Sequence, residues 1–135
     1  MINQVILIGN LGQDPEVGET TGNRRYARLS LATSDSWRDK ATGERREKTE
    51  WHRIVVWGDG LAGMLSQYAK KGTKLYVQGK LTTRKFEDRS GQERYVTEIV
   101  VQGGSDQLRL LTSQSAGGVP APDAPPDGYH SYAEV

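Results

Sequence analysis

The sequence predicts an all-β domain that carries a single helix. Three observations predict it. Short runs of apolar residues, most of them alternating, recur between clusters of Gly, Pro, Asn and Asp, the pattern of strands joined by turns. One stretch alone has helical spacing: Leu61, Met64, Leu65 and Tyr68 fall at i, i+3, i+4 and i+7 and make one apolar face. Beyond Thr112 the pattern stops, and four of the five prolines crowd into a segment of Ser, Gly, Ala and Asp.

Taken in order, Asn3 to Leu11 reads as the first strand. Val5, Ile6, Leu7 and Ile8 are apolar without alternation, so both faces need cover, and a second subunit is one source of it. Gly12 to Asn23 has turn chemistry in Asp14-Pro15 and Thr21-Gly22-Asn23. Arg25 to Ser34 follows as a strand with Ala27, Leu29 and Leu31 on one side, and Asp35 to Glu47 is a long polar excursion. Lys48 to Trp57 is the third strand. The helix then has Asp59 as its expected N-cap, Lys70 and Lys71 as its last-turn cations and Gly72 as its C′ residue. Lys74 to Phe86 alternates, with Leu75, Val77, Gly79 and Leu81 expected inward and Tyr76, Arg84 and Phe86 outward. A loop at Glu87–Gln92 leads to the last strand, Glu93 to Gln102.

A helix between the third and fourth of five short antiparallel strands is the arrangement of the five-stranded OB-fold barrel. An SH3-like barrel and a generic α+β domain compete with it, and the helix position favours the OB-fold. Residues 1–111 form this domain, and residues 112–135 are expected to be a disordered tail, since they bury too little area to offset the cost of ordering.

Composition narrows the function. The net charge of +1 conceals a division: up to Thr112 the chain holds all 18 basic and 14 of the 17 acidic residues, leaving the body at +4 and the remainder at −3. A mildly basic body is compatible with a polyanionic partner. The absence of cysteine excludes disulfides and thiolate metal sites. No apolar run is long enough for a signal peptide or a membrane span, which points to the cytoplasm. The two histidines, His52 and His130, have no cysteine, serine or carboxylate spacing around them that makes a metal site or an activated nucleophile. A catalytic role, a metal and a cofactor are therefore not expected.

The most informative stretch is Thr49-Glu50-Trp51-His52-Arg53-Ile54-Val55-Val56-Trp57. As a strand it puts Trp51, Arg53, Val55 and Trp57 on one face and His52, Ile54 and Val56 on the other. A guanidinium between two indoles is an awkward core but suits flat rings on an anionic thread, which is single-stranded nucleic acid. A half-buried strand packed under a loop is the competing reading. Trp37 and Phe86 sit at the roots of loops where the same thread could pass. Arg38, Lys40, Arg45, Arg46, Arg53, Lys70, Lys71, Arg84 and Lys85 are candidate phosphate contacts. For Arg38 and Arg45, whose neighbours are acidic, plain loop solvation competes. For Lys70 and Lys71 a helix-end role does.

Several motifs then carry a resemblance. Asn3 to Glu16 (NQVILIGNLGQDPE), Ala32 to Lys40 (ATSDSWRDK), Thr49 to Arg53 (TEWHR), Thr83 to Phe86 (TRKF) and Gly91 to Tyr95 (GQERY) stand in the order found in bacterial single-stranded DNA-binding proteins, and the likeness runs over roughly residues 1–111. The resemblance implies an OB-fold homotetramer, a dimer of dimers, that wraps single-stranded DNA in replication, recombination and repair. By position it implies base stacking on Trp37, Trp51, Trp57 and Phe86, and a phosphate path along Lys40, Arg46, Arg53, Lys70, Lys71, Arg84 and Lys85. It also implies subunit contacts at His52, Tyr76 and the first strand, and a cytoplasmic, nucleoid-associated protein. Trp57 replaces a usual Phe or Tyr, and Phe86 a usual Trp, and both swaps keep an aromatic ring. Family members typically close on an acidic tip ending Ile-Pro-Phe that recruits replication and repair proteins. This sequence ends Ser131-Tyr132-Ala133-Glu134-Val135, so the resemblance does not carry that recruitment over. A protein-interaction OB module and an RNA chaperone similar to cold-shock proteins are the alternative functions.

Overall fold

Five long strands follow from the alternating runs: β1 (Val5–Leu11), β3 (Arg25–Arg38), β4 (Arg45–Trp57), β5 (Lys74–Glu87) and β6 (Glu93–Val101). Two short strands have no clear sequence signal, β2 (Glu16–Glu19) beside β3 and β7 (Gln107–Leu110) beside β5. The single helix among the described residues, α1 (Asp59–Tyr68), lies between β4 and β5, as its spacing predicts. The structure, a computed structural model, describes residues 1–111, and the tail expected after Thr112 lies outside the described residues.

The pairings run from β1 to β3, on to β4, then β6 and β5, and β5 returns to β1. All are antiparallel except β4 with β6, which is parallel through Ile54↔Ile99, Val55↔Val100 and Val56↔Val101. The expected wholly antiparallel set is corrected at this point. A parallel neighbour needs a long connection, and α1 with β5 supplies it. β1 and β5 each change partner along their length: β5 pairs with β1 up to Gly79 and with β6 from Lys80, while β1 leaves β5 and meets β3 at Asn10. Glycine is required at both bends. A Cβ on Gly9 would lie 2.2 Å from the Ala32 carbonyl oxygen, and one on Gly79 would lie 2.4 Å from that of Val100.

The inward files of these strands meet in one core, with Leu11, Leu31, Ile54, Val56, Leu75, Val77 and Val101 fully buried and Ala62 and Leu65 contributed by α1. Several expectations are corrected against it. Val5 and Leu7 pack on the core, whereas Ile6 and Ile8 are 53% and 50% exposed, so β1 does alternate and only two of its four aliphatics await cover. Leu81 points out of the core at 50% exposure, because β5 has left β1 after Gly79 and runs on with β6 as an arm. Asn3 is not in a strand. Its side-chain amide instead pairs with the Leu81 backbone, donating to the carbonyl and accepting from the N–H, both at 2.9 Å. Tyr68 is exposed, so the apolar face of α1 stops at Leu65.

The helix ends also differ. Gly58, at φ 114°, is the N-cap residue, and Asp59 sits in the first turn without a side-chain cap, where its charge still suits the helix dipole. α1 stops at Tyr68 with Ala69 extended, so Lys70 and Lys71 lie past its last turn. Gly72 (φ 92°) belongs to the tight turn into β5 and donates its N–H to the Leu11 carbonyl at 2.8 Å.

The polar excursion 35–47 is mostly strand. β3 and β4 stay in register out to Arg38↔Arg45, leaving only residues 39–44 as the turn. With both faces in water the ribbon shows no apolar alternation. It is held by polar cross-strand pairs, including Ser34 Oγ to Thr49 Oγ1 at 3.0 Å. Asp39 closes its tip, accepting from the Ala41 N–H at 2.8 Å and from Arg46 Nε at 2.9 Å. Asp88 closes the β5–β6 arm the same way, accepting from Ser90, Gln92 and Arg94. These hydrogen bonds hold both carboxyls below the usual carboxylate range, led by the Ala41 N–H at Asp39 and the Ser90 hydroxyl at Asp88.

Candidate nucleic-acid interface

Cross-strand partners share a face, so the register assembles the outer surface residue by residue. Tyr26 faces Trp57, Arg28 faces Val55, Ser30 faces Arg53 and Ala32 faces Trp51. Val55 pairs in turn with Val100, and across β6 and β5 the same face continues through Thr82↔Glu98, Arg84↔Val96 and Phe86↔Arg94. Trp51, Arg53, Trp57, Arg84 and Phe86 therefore stand on one continuous outer face, as their spacing predicts. Ile54 and Val56 turn into the core. Trp51 and Trp57 are half-buried, seated against the sheet without being enclosed by it.

Other candidates stand elsewhere. Trp37, 48% exposed, pairs with Arg46 on the opposite side of the β3–β4 ribbon from Trp51. Lys40 is in the exposed tip of that ribbon, and Arg46 is engaged by Asp39. Lys85 is on the other face of β5 from Arg84 and Phe86, 3.1 Å from Glu93. Lys70 and Lys71 occupy the turn after α1, where the Lys71 N–H donates to Asp14 Oδ1 at 2.8 Å. Among the interface candidates, Tyr76 shares the outward face of β1 and β5 with Ile6 and Ile8, through Ile8↔Tyr76 and Ile6↔Gln78, and donates its hydroxyl to Gln78 at 2.9 Å. His52 does not join them. It continues the inward file beside Leu31, and its Nε2 shares a 2.8 Å hydrogen bond with Thr33 Oγ1. Burial holds the imidazole below its ordinary pKa, with Glu50 pulling weakly the other way.

The charges on the outer face are tempered. Arg84 Nε donates to Glu98 Oε1 at 2.8 Å, and Glu98 is only 4% exposed, with its second oxygen buried and without a hydrogen-bond partner. The Arg84 guanidinium also lies 5.9 Å from the Phe86 ring centroid. Sequence reasoning missed three residues. Tyr26 packs against Trp57 with ring centroids 5.5 Å apart and planes tilted by 60°. Arg24 lies 4.3 Å over the Trp57 ring and Arg28 lies 4.8 Å over the Tyr26 ring. Such cation–π contacts contribute about 0.5–1 kcal/mol at exposed sites. The signal was present: Tyr26 and Arg28 alternate on the side of β3 opposite Ala27 and Leu29, and Arg24, just before the strand, continues the same spacing. These aromatics and Val55 border a pocket of about 260 Å³ that reaches across to Arg84 and Glu98. Among the described residues no group of three or more His, Asp or Glu side chains is placed to hold a metal ion, and no helix is long and apolar enough to cross a membrane.

An outer sheet face of aromatics interleaved with arginines can stack planar rings and neutralise an anionic backbone. The chain is also similar to known proteins. The profile of the Single-strand binding protein family matches residues 2–110. A single-stranded DNA-binding protein of Rhizobium meliloti (strain 1021) is 51% identical over 117 residues, covering 87% of this chain and 67% of its own length. One from Rickettsia felis (strain ATCC VR-1525 / URRWXCal2) is 50% identical over 115 residues, covering 85% and 76%. A solved structure described as a Plasmodium falciparum SSB complex with ssDNA superposes with a TM-score of 0.72 at 38% identity, over 83% of this chain and 96% of that one.

Proposed function

The chain belongs to the single-strand binding protein family, and from that premise we propose that it binds and protects single-stranded DNA without selecting a sequence, and does so without catalysis. The carrying observation is the single register that puts Trp51, Trp57 and Phe86 on one outer face with Arg53 and Arg84 between them. Every base offers a π-face, so stacking contributes about 1–3 kcal/mol per base with little discrimination. The cations answer the phosphates and make the affinity fall with salt. The strand circuit that returns from β5 to β1, with glycines at its bends, supports a five-stranded OB barrel as the platform.

Trp37, Lys40, Arg46, Lys70, Lys71 and Lys85 lie off this face, and in this reading they serve a longer strand that passes around the domain. Ile6, Ile8 and Tyr76 form the outward patch through which copies assemble into a homotetramer. Residues 1–111 are the binding domain, acting in the nucleoid during replication, recombination and repair. The test is tryptophan fluorescence during titration with oligo-dT at two salt concentrations. Quenching that saturates, with an affinity that drops as salt rises, is expected. No quenching, or indifference to salt, overturns the reading.

A further inference from the structure

The pocket beside Trp57 has contents that stacking on Trp51, Trp57 and Phe86 leaves unused. One wall is the Tyr26–Trp57 pair, the opposite wall is the Arg84–Glu98 pair, and the nearly buried Val55 and Val100 lie between them. Its charged lining balances, with Arg28 and Arg84 against Glu19 and Glu98, so it suits a neutral ring better than a phosphate. Its volume of about 260 Å³ is also adequate, since an engineered cavity of about 150 Å³ holds benzene.

Tyr26 is set rigidly for this task. Its ring lies against the backbone of its cross-strand partner Gly18, where an added Cβ would come within 2.6 Å of the Tyr26 hydroxyl oxygen. The Arg28 guanidinium covers the ring at 4.8 Å. Arg24 does not line the pocket, but it is exposed and stacked on Trp57, which does, so a cation stands one ring away from whatever the pocket holds.

We infer that this pocket receives one nucleobase of a bound single strand, with Tyr26 as a base-stacking residue beside Trp57 and Arg24 on the adjoining phosphate. The inference rests on the single-strand reading above and adds to it a subsite on β3.

The test is a fluorescence-anisotropy titration of labelled oligo-dT with the full chain and its variants over a series of salt concentrations, with a melting curve for each. Tyr26→Ala is expected to weaken binding roughly tenfold at an unchanged salt slope, as loss of one stack does, while Tyr26→Phe binds as the parent does. Gly18→Ala keeps the tyrosine but displaces its ring, and is expected to weaken binding as well. Arg24→Gln is expected to lower the salt slope by about one, as loss of one phosphate contact does. Parental affinity in folded Tyr26→Ala, with binding still weakened in Trp51→Ala, overturns the subsite and leaves the single-strand reading standing. No binding by the parent overturns both. If Tyr26→Ala does not fold, the other two variants decide: parental affinity and slope in Gly18→Ala and Arg24→Gln overturn the inference.

Discussion

Arg84 Nε lies 2.8 Å from Glu98 Oε1 across the β5–β6 pair, and the glutamate is almost wholly shielded while the arginine keeps part of its side chain in water. The arginine is thus both the counter-ion of a buried carboxylate and a member of the outer aromatic face. Removing it has two consequences that need separate measurement. Arg84→Ala leaves a buried carboxylate unpaired, a change that costs about 3–5 kcal/mol in fully buried pairs and less at this partly exposed site. Denaturant unfolding should show that loss. Glu98→Gln keeps the shape and releases the arginine's charge, so the melting temperature should fall less and affinity for oligo-dT at low salt should rise.

Trp51 presents the opposite case, because it is half-buried on the outer face and makes no part of the core. Trp51→Ala should weaken oligo-dT binding by about 1–3 kcal/mol, the contribution of one stacked base, with a smaller effect on unfolding free energy. A melting-temperature drop as large as that of a core truncation such as Ile54→Ala, with affinity intact, would show that the indole is structural.

For His52 the sign of the pH dependence follows from burial. The folded state disfavours the charged imidazole and the unfolded state does not, so the unfolded chain binds more protons. Stability should be level above neutral pH and should fall as pH is lowered through the ordinary histidine value of 6.5. Urea midpoints compared on either side of that value should show this, and His52→Gln should flatten the curve.

Gly79 tests the bend in β5. Gly79→Ala puts a methyl group 2.4 Å from the Val100 carbonyl oxygen, a backbone atom that can yield only by parting the strands. We expect a loss of about 1–3 kcal/mol, the usual scale of overpacking, read as a shift in denaturant midpoint. Gly60→Ala, on α1 with nothing near its added methyl, should be neutral or slightly stabilising by comparison.

Period and polarity together account for what the sequence makes legible. Ile54 and Val56 separate from Trp51, Arg53 and Trp57 because successive strand residues take opposite faces, and α1 stands out through Leu61, Met64 and Leu65. The β3–β4 ribbon beyond Ser34 escapes such a reading because both its faces are wetted, so no alternation survives. Leu81 is misplaced by it because alternation along β5 says nothing of where the strand leaves its neighbour. The parallel β4–β6 pair and the inward His52 depend on contacts distant in sequence. Tyr26 is hidden for another reason: Ala27, Leu29 and Leu31 announce a core file, and the reverse side of β3 acquires meaning only once Trp57 is set opposite it.

The placement of Trp37 and Trp51 on opposite sides of one ribbon sets a geometric condition on any polymer that engages both. No short oligomer lying flat on one surface can reach the two indoles together. A longer one has to turn over the ribbon's edge. Affinity should therefore climb in steps as oligonucleotides lengthen, with the contribution of Trp37 entering only at the later step.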